Sequence, residues 1–380
     1  MGKWEILRLG DLATFINGFP FNPNDWSNEG MPIIRIQNLT GSSETTNYFN
    51  GSYNSKYVVT KGDILISWSA SLGVYEWSKE DALLNQHIFK VVFNKRKINK
   101  RFFTYAIRLK LDEMIEATHG STMKHITKKH FDDILISLPP LSIQQKITDA
   151  LDKASALIEM RKAQIEKLDL LIKSQFIEMF GDPVTNPKGW KKEALQDHAD
   201  ILSGYPFNSE NFSDEGIKIC GGLIIMPNNI LWEECKYWES TKGYEGYLLN
   251  DNDIVMAMDR PWITEGFKIA KIERKWLPAL LIQRTARIRG IDINQEYLYI
   301  YLTIGGFDRH CNVTGSLVPH ISIKDIRSFN IMMPPLILQK EFAAIAKQIM
   351  IQKLQLQRSF ENLTINYQTL LQKCFSGEMF

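Results

Sequence analysis

Cysteine is scarce in this chain. The four residues present, Cys220, Cys235, Cys311 and Cys374, are too scattered in 380 positions for a disulfide framework or a paired-cysteine zinc site. They are expected to be reduced and structural. Long apolar runs are missing too, since no stretch of about 18 residues is free of charge, so no membrane span is expected. The opening Met-Gly-Lys-Trp-Glu lacks the basic-then-apolar layout of a signal peptide, and Ile6 breaks the myristoylation pattern. A cytoplasmic location follows as the expectation. Catalytic signatures are absent as well. There is no Gly-x4-Gly-Lys-Ser/Thr phosphate loop, no His-Glu-x-x-His, no Gly-x-Ser-x-Gly and no Gly-x-Gly-x-x-Gly after a strand. The Asn/Asp-Pro-Pro-aromatic tetrapeptide of amino-methyltransferases is also missing, and the Asp251/Asp253 pair reads as the turn into a strand, not a metal site. The chain is expected not to be an enzyme. A net charge of +2 neither announces nor excludes a polyanion partner.

What is present is periodic. From Ser142 to about Phe180, Leu151, Ile158, Ile165, Ile172 and Met179 recur every seven residues, with Ile147, Ala154 and Leu168 beside them. Pro139 and Pro140 stop the preceding strand, Ser142 with Gln145 forms a capping-box pattern, and Gly181 ends the run. A second such segment follows Pro334-Pro-Leu336, with Phe342, Ile349, Leu356, Leu363 and Leu370 again seven apart. Heptads held in both segments predict two long helices forming a coiled coil. A helix of about 39 residues rises about 58 Å.

The rest of the chain is duplicated. Trp4, Gly18-Phe-Pro-Phe-Asn22 and Glu29-Gly30 recur 186 residues later as Trp190, Gly204-Tyr-Pro-Phe-Asn208 and Glu215-Gly216. Lys61-Gly-Asp-Ile-Leu-Ile66 answers to Asn252-Asp-Ile-Val-Met256. At an offset of 195, Gly120-Ser121, His125-Ile126 and Pro139-Pro-Leu141 answer to Gly315-Ser316, His320-Ile321 and Pro334-Pro-Leu336. Each copy reads as short strands, such as Pro32–Gln37 and His87–Phe93, with a helix near Lys100–Ala117. The expected fold is α+β: two mixed α/β domains separated by two long helices in an antiparallel coiled coil with pseudo-two-fold symmetry. The expected boundaries are 1–140 and 182–335 for the globular domains and 141–181 and 336–380 for the spacer helices.

This order of motifs resembles the specificity subunits of type I restriction-modification systems. The resemblance rests on Leu9-x-Asp-Leu-Ala13, Asn17-Gly-Phe-Pro-Phe-Asn22, the Gly-Ser pair, Leu138-Pro-Pro-Leu-x-x-Gln-Gln145 and the final Phe375-Ser-Gly377. It implies two target-recognition domains, each reading one half of a split double-stranded DNA sequence, and spacer helices that dock modification (methyltransferase) subunits. It also implies no cofactor in this chain. S-adenosylmethionine belongs to the modification subunits, and ATP and Mg belong to a restriction subunit. Two departures stand out. Ile337 replaces the capping Ser142, and residues 181–336 carry 17 basic against 20 acidic side chains where residues 1–140 carry 17 against 14. An adaptor with two protein-interaction domains on a coiled coil is the alternative that would suit the acidic second copy.

Phosphate contacts fix register and base-edge contacts carry sequence. Candidates for phosphate are Gly120, Ser121, Lys124 and Lys128 in the first copy and Gly315, Ser316 and Lys324 in the second, since Gly-Ser loops let backbone amides approach closely. Candidates for base edges are Arg35, Gln37, Asn38 and Trp68, with Arg260, Trp262, Arg284 and Arg287 in the second copy. In sequence, Trp262 falls at the place of Trp68. If both copies face one side of a duplex, their half-targets lie about 34 to 36 Å apart or a multiple of it.

Overall fold

The computed structural model describes residues 4–43, 45–69, 71–117, 127–311 and 319–380, without the side chains of 114–117. The chain forms two compact units. Unit 1 comprises Met1–Arg161 with Ser359–Phe380, and unit 2 comprises Lys162–Arg358. Each therefore takes part of both long helices.

Unit 1 is built on a four-stranded antiparallel sheet of β1 (Thr14–Asn17), β2 (Ile64–Ser67), β3 (Gly73–Glu76) and β4 (Ile88–Val92), in the order β1-β4-β2-β3. β2 is apolar on both faces, and all four of its residues are buried, as befits a central strand. Asp63 starts it by accepting the Thr60 N–H at 2.8 Å, the turn role expected from sequence. A second, mixed sheet runs Asn47–Phe49, Met31–Ile34, Ala82–Leu84, Val58–Val59, with Ile33 and Leu83 paired in parallel. The expected Pro32–Gln37 strand is shorter than predicted. It ends at Ile34, and Ile36–Thr40 turns into a short helix closed by Gly41 in the left-handed region. The helix expected near residue 100 is α1, Lys100–Ala117.

Unit 2 repeats this plan. Strands β5 (Ala199–Ser203), β6 (Ile254–Ala257), β7 (Ile269–Lys271) and β8 (Thr285–Gly290) lie in the equivalent order β5-β8-β6-β7. Again a smaller mixed sheet follows, Lys236–Trp238, Ile217–Cys220, Ala279–Leu281, with Lys218 and Ala279 paired in parallel. Its helix α3 spans Gln295–Ile304. Unit 2 also carries a satellite core of Cys220, Ile224, Ile225, Ile230, Trp232 and Cys235, which the first copy gave no reason to expect.

The two long helices are α2, Leu141–Phe180, and α4, Leu336–Ser376. Within unit 1 the start of α2 packs against the end of α4, with Ile147, Leu151, Leu371 and Cys374 in one core. Within unit 2 the end of α2 packs against the start of α4 through Ile172, Phe176, Phe180, Phe342, Ala346 and Ile349, and Lys353 pairs with Asp169. In each unit, then, the helix segments run antiparallel. Leu151, Ile172, Phe342 and Ile349 are buried, while Ile158, Ile165, Leu356, Leu363 and Leu370 are half-buried. Near the end of α2 the buried positions are Phe176 and Phe180, with Met179 only half-buried. A straight helix drifts about 20° per heptad, which carries the contact off the seven-residue series.

Both helices begin with one device, and it is not the expected Ser142–Gln145 box. Gln144 is buried; its Oε1 accepts the Asn99 N–H at 2.8 Å and its Nε2 donates to the Pro139 carbonyl at 2.8 Å. In unit 2 the buried Gln339 makes the same two bonds, from Asn294 at 2.9 Å and to Pro334 at 2.8 Å. Each asparagine in turn caps the helix that follows it, Asn99 capping α1 and Asn294 capping α3. Gln145 is exposed and bonds Asp149 and Asn99. Ile337 in place of a capping serine therefore leaves the second helix start intact.

Candidate nucleic-acid interface

The repeated Gly-Phe/Tyr-Pro-Phe-Asn segment threads between the sheets. Phe19 N–H donates to Leu84 O at 2.8 Å and Gln86 N–H to Phe19 O at 2.8 Å; Tyr205 and Gln283 do the same with Leu281 and Tyr205. A Cβ on Gly18 would come 2.0 Å from Asn85 O, and one on Gly204 2.0 Å from Ile282 O, so glycine is required for this approach. The threading locks the turn that joins Ala82–Leu84 to β4, and its counterpart joining Ala279–Leu281 to β8. In both turns one residue with a side chain takes positive φ: His87 at 74° and Arg284 at 60°.

Arg284 reaches outward, and its Nη1 donates to Asp259 Oδ2 at 2.6 Å; this bond holds the guanidinium firmly protonated. Next to Asp259, Arg260 is exposed with φ of 44°, and its N–H donates to Pro319 O at 2.7 Å. Asp259 and His320 form an isolated antiparallel backbone bridge, and Ile321 N–H bonds Met258 O at 2.9 Å. The fold thus brings Arg260 and Arg284 together beside the segment that follows Gly315 and Ser316. Those two residues, with Gly120, Ser121 and Lys124, lie outside the described residues. Lys268 lies close by, with its ammonium on the Gly222 carbonyl; burial and the nearby Arg260 lower its pKa.

In unit 1, Trp68 is half-buried. Its ring stacks on Phe89 at 5.6 Å, His87 meets its edge at 4.9 Å, and its Nε1 donates to Asn17 Oδ1 at 3.2 Å. Sheet register makes Met258 its counterpart, because Trp68 and Met258 each donate N–H to the carbonyl of His87 or Arg284. The sequence match of Trp262 to Trp68 is thereby corrected. Trp262 lies in a small hairpin, stacked on Phe267 at 5.1 Å. Lys128 is exposed on the short helix Lys128–Asp132 and pairs with Asp132 at 2.6 Å; Phe131 of that helix packs on Phe89 at 5.4 Å. Lys324 is exposed on Ile323–Ser328.

Arg35 precedes the short helix of unit 1, Gln37 and Asn38 lie in it, and all three are half-buried. The Asn38 amide is engaged at both ends, by the Arg35 N–H at 2.9 Å and the Thr45 carbonyl at 3.0 Å, which makes it a brace for this loop. The Arg35 guanidinium lies over Trp26 at 5.1 Å and bonds Asn47. Arg287 is not available to a base, since it is buried in β8 against Asp200. Asp253, one of the close acidic pair, accepts two bonds from Arg289 at 2.7 and 2.8 Å and the Asn250 N–H at 2.7 Å, a structural role. Among the described residues no cluster suits a metal ion. Asp200, Asp253, Asp259 and Glu296 of unit 2 each pair with a basic side chain of the same unit.

His87 was absent from the sequence candidates. The signal was there, since Ala82-Leu-Leu-Asn-Gln-His87 recurs 197 residues later as Ala279-Leu-Leu-Ile-Gln-Arg284.

Comparison with known proteins fits this duplicated frame. A family model described as the type I restriction modification DNA specificity domain matches twice, over residues 1–170 and 187–363. The type I restriction enzyme MjaVIII specificity subunit of Methanocaldococcus jannaschii is 26% identical over 366 residues, covering 91% of this chain and 86% of its own. The EcoBI specificity subunit of Escherichia coli is 31% identical over 173 residues, 45% of this chain and 36% of its own. In fold, a crystal structure of a type I restriction-modification S subunit from M. genitalium matches with a TM-score of 0.54 at 16% identity, covering 98% of this chain and 96% of that one. Among the described residues no helix is long and apolar enough to cross a membrane. The two family matches cover most of the chain and fall one on each copy of the repeat, and on that ground the chain belongs to the type I restriction-modification DNA specificity family.

Proposed function

We propose that this chain is the sequence-recognition subunit of a type I restriction-modification complex and reads an asymmetric, bipartite duplex target. Residues 1–140 read one half and residues 182–335 the other. The helices at 141–181 and 336–380 space them and dock modification subunits. The chain itself is non-catalytic. S-adenosylmethionine is used by the modification subunits, and ATP with Mg by a restriction subunit, in the cytoplasm. One observation carries this reading: the family match occurs twice, on units whose backbone frame repeats while the exposed side chains on it differ. Such a pattern suits two half-targets of different sequence. The adaptor alternative has no comparable support.

The test exchanges residues 182–335 for the equivalent segment of another specificity subunit and measures duplex binding with modification subunits present. Expected are a change in one half of the target only and binding that weakens steeply with salt. A change in both halves, or no salt-dependent sequence selectivity, would refute the proposal.

A further inference from the structure

The turn at His87 and Arg284 is held from three sides in the same way in both units. The preceding residue, Gln86 or Gln283, donates its N–H to Phe19 or Tyr205. The carbonyl of the turn residue accepts the N–H of Trp68 or Met258. The carbonyl of the next residue, Ile88 or Thr285, accepts the N–H of Gly18 or Gly204 at 3.1 Å. With these bonds in place the backbone has no freedom to relax, and it sits at positive φ, where glycine is at ease and a side chain is strained. Neither copy uses glycine. Both keep a nitrogen-bearing side chain, and a different one in each.

What surrounds the side chain also differs. In unit 2 the Arg284 side chain is 70% exposed, and Asp259, 28% exposed, takes one of its donors, which orients a fork with further donors for a guanine edge. In unit 1 His87 is half-buried against Trp68, and its Nδ1 is shut off from solvent with no hydrogen-bond partner among the described residues. That leaves Nε2 as the nitrogen through which the ring meets a base. Resting on the DNA-recognition reading above, we infer that this turn is a common reading position: His87 and Arg284 each contact a base edge in their own half-target, and Asp259 positions Arg284.

The experiment uses the full chain with its modification subunits and selects from a randomised duplex library, comparing wild type with His87→Gly, Arg284→Gly and Arg284→Lys. Glycine relieves the turn, so both glycine variants should melt at or above the wild-type temperature. Arg284→Gly should lose roughly tenfold to a hundredfold discrimination at one or two adjacent base pairs in one half, and His87→Gly should do so only in the other half. Arg284→Lys keeps the charge but not the fork, and should lose the same preference. Unchanged selected sequences would overturn the inference. So would a loss equal for specific and random duplex, which marks a phosphate contact. A wild-type complex that selects no sequence would instead sink the underlying reading.

Discussion

Replacing Gln144 with alanine should loosen the start of the first long helix from the rest of unit 1. The substitution removes the acceptor of the Asn99 N–H and the donor to the Pro139 carbonyl, both at 2.8 Å from a side chain only 1% exposed. Each group left buried and unsatisfied costs about 1 to 3 kcal/mol. The two together should lower the stability of unit 1 by about 2 to 6 kcal/mol, a large part of the roughly 5 to 15 kcal/mol of a typical domain. Asn99 also caps α1, so faster amide exchange should spread to residues 99–103. Urea unfolding gives the free energy, and hydrogen exchange with mass spectrometry locates it. The control is Gln145→Ala, an exposed neighbour whose loss should cost less than about 1 kcal/mol. A Gln144→Ala cost below about 1 kcal/mol, or equal to that of Gln145→Ala, would refute the reasoning. Gln339→Ala should repeat the result in unit 2.

Further outcomes are expected. Asp253→Ala leaves the Asn250 N–H and the part-exposed Arg289 guanidinium without their acceptor and should cost about 1 to 3 kcal/mol by urea unfolding; no measurable loss would contradict the pairing. Burial tends to lower the pKa of His198, but its bonds to Asp292 at 2.9 Å and Glu193 at 2.7 Å outweigh this and raise it. A raised folded pKa gives stability that is complete below about pH 6.5 and fades as pH rises through the folded value. The melting difference between wild type and His198→Gln should therefore be larger at low than at high pH; a flat or reversed difference speaks against the triad. Gly204→Ala places a methyl on the Ile282 carbonyl and should yield a chain that misfolds or melts well below wild type, whereas Gly246→Ser, in open space and at an ordinary φ, should fold.

Much of this architecture was legible because it is periodic. Heptads marked both helices, the first expected from Ser142 to about Phe180 and found at Leu141–Phe180, the second running from Leu336 to Ser376, and the Gly-Phe/Tyr-Pro-Phe-Asn repeat announced two units with the same strand order. Illegible were the partners that act at a distance. Gln144 looked unremarkable beside the local Ser142–Gln145 pattern because its partner is 45 residues away. Arg287 read as a candidate base contact because nothing in its own strand discloses Asp200 across the sheet. Trp262 was matched to Trp68 by sequence offset, which drifts through the loops, while hydrogen-bond register assigns that place to Met258. For His87 the repeated Ala-Leu-Leu-x-Gln motif marks the turn, but nothing in the sequence discloses that the residue after the glutamine takes positive φ.

The measurement closest to the central claim is single-molecule sequencing of methylated adenines in DNA from cells that express this chain with its modification subunits. Two short, dissimilar specified blocks separated by a fixed run of unspecified base pairs is the predicted result. A single unbroken motif, or a palindrome read identically in both halves, would contradict it.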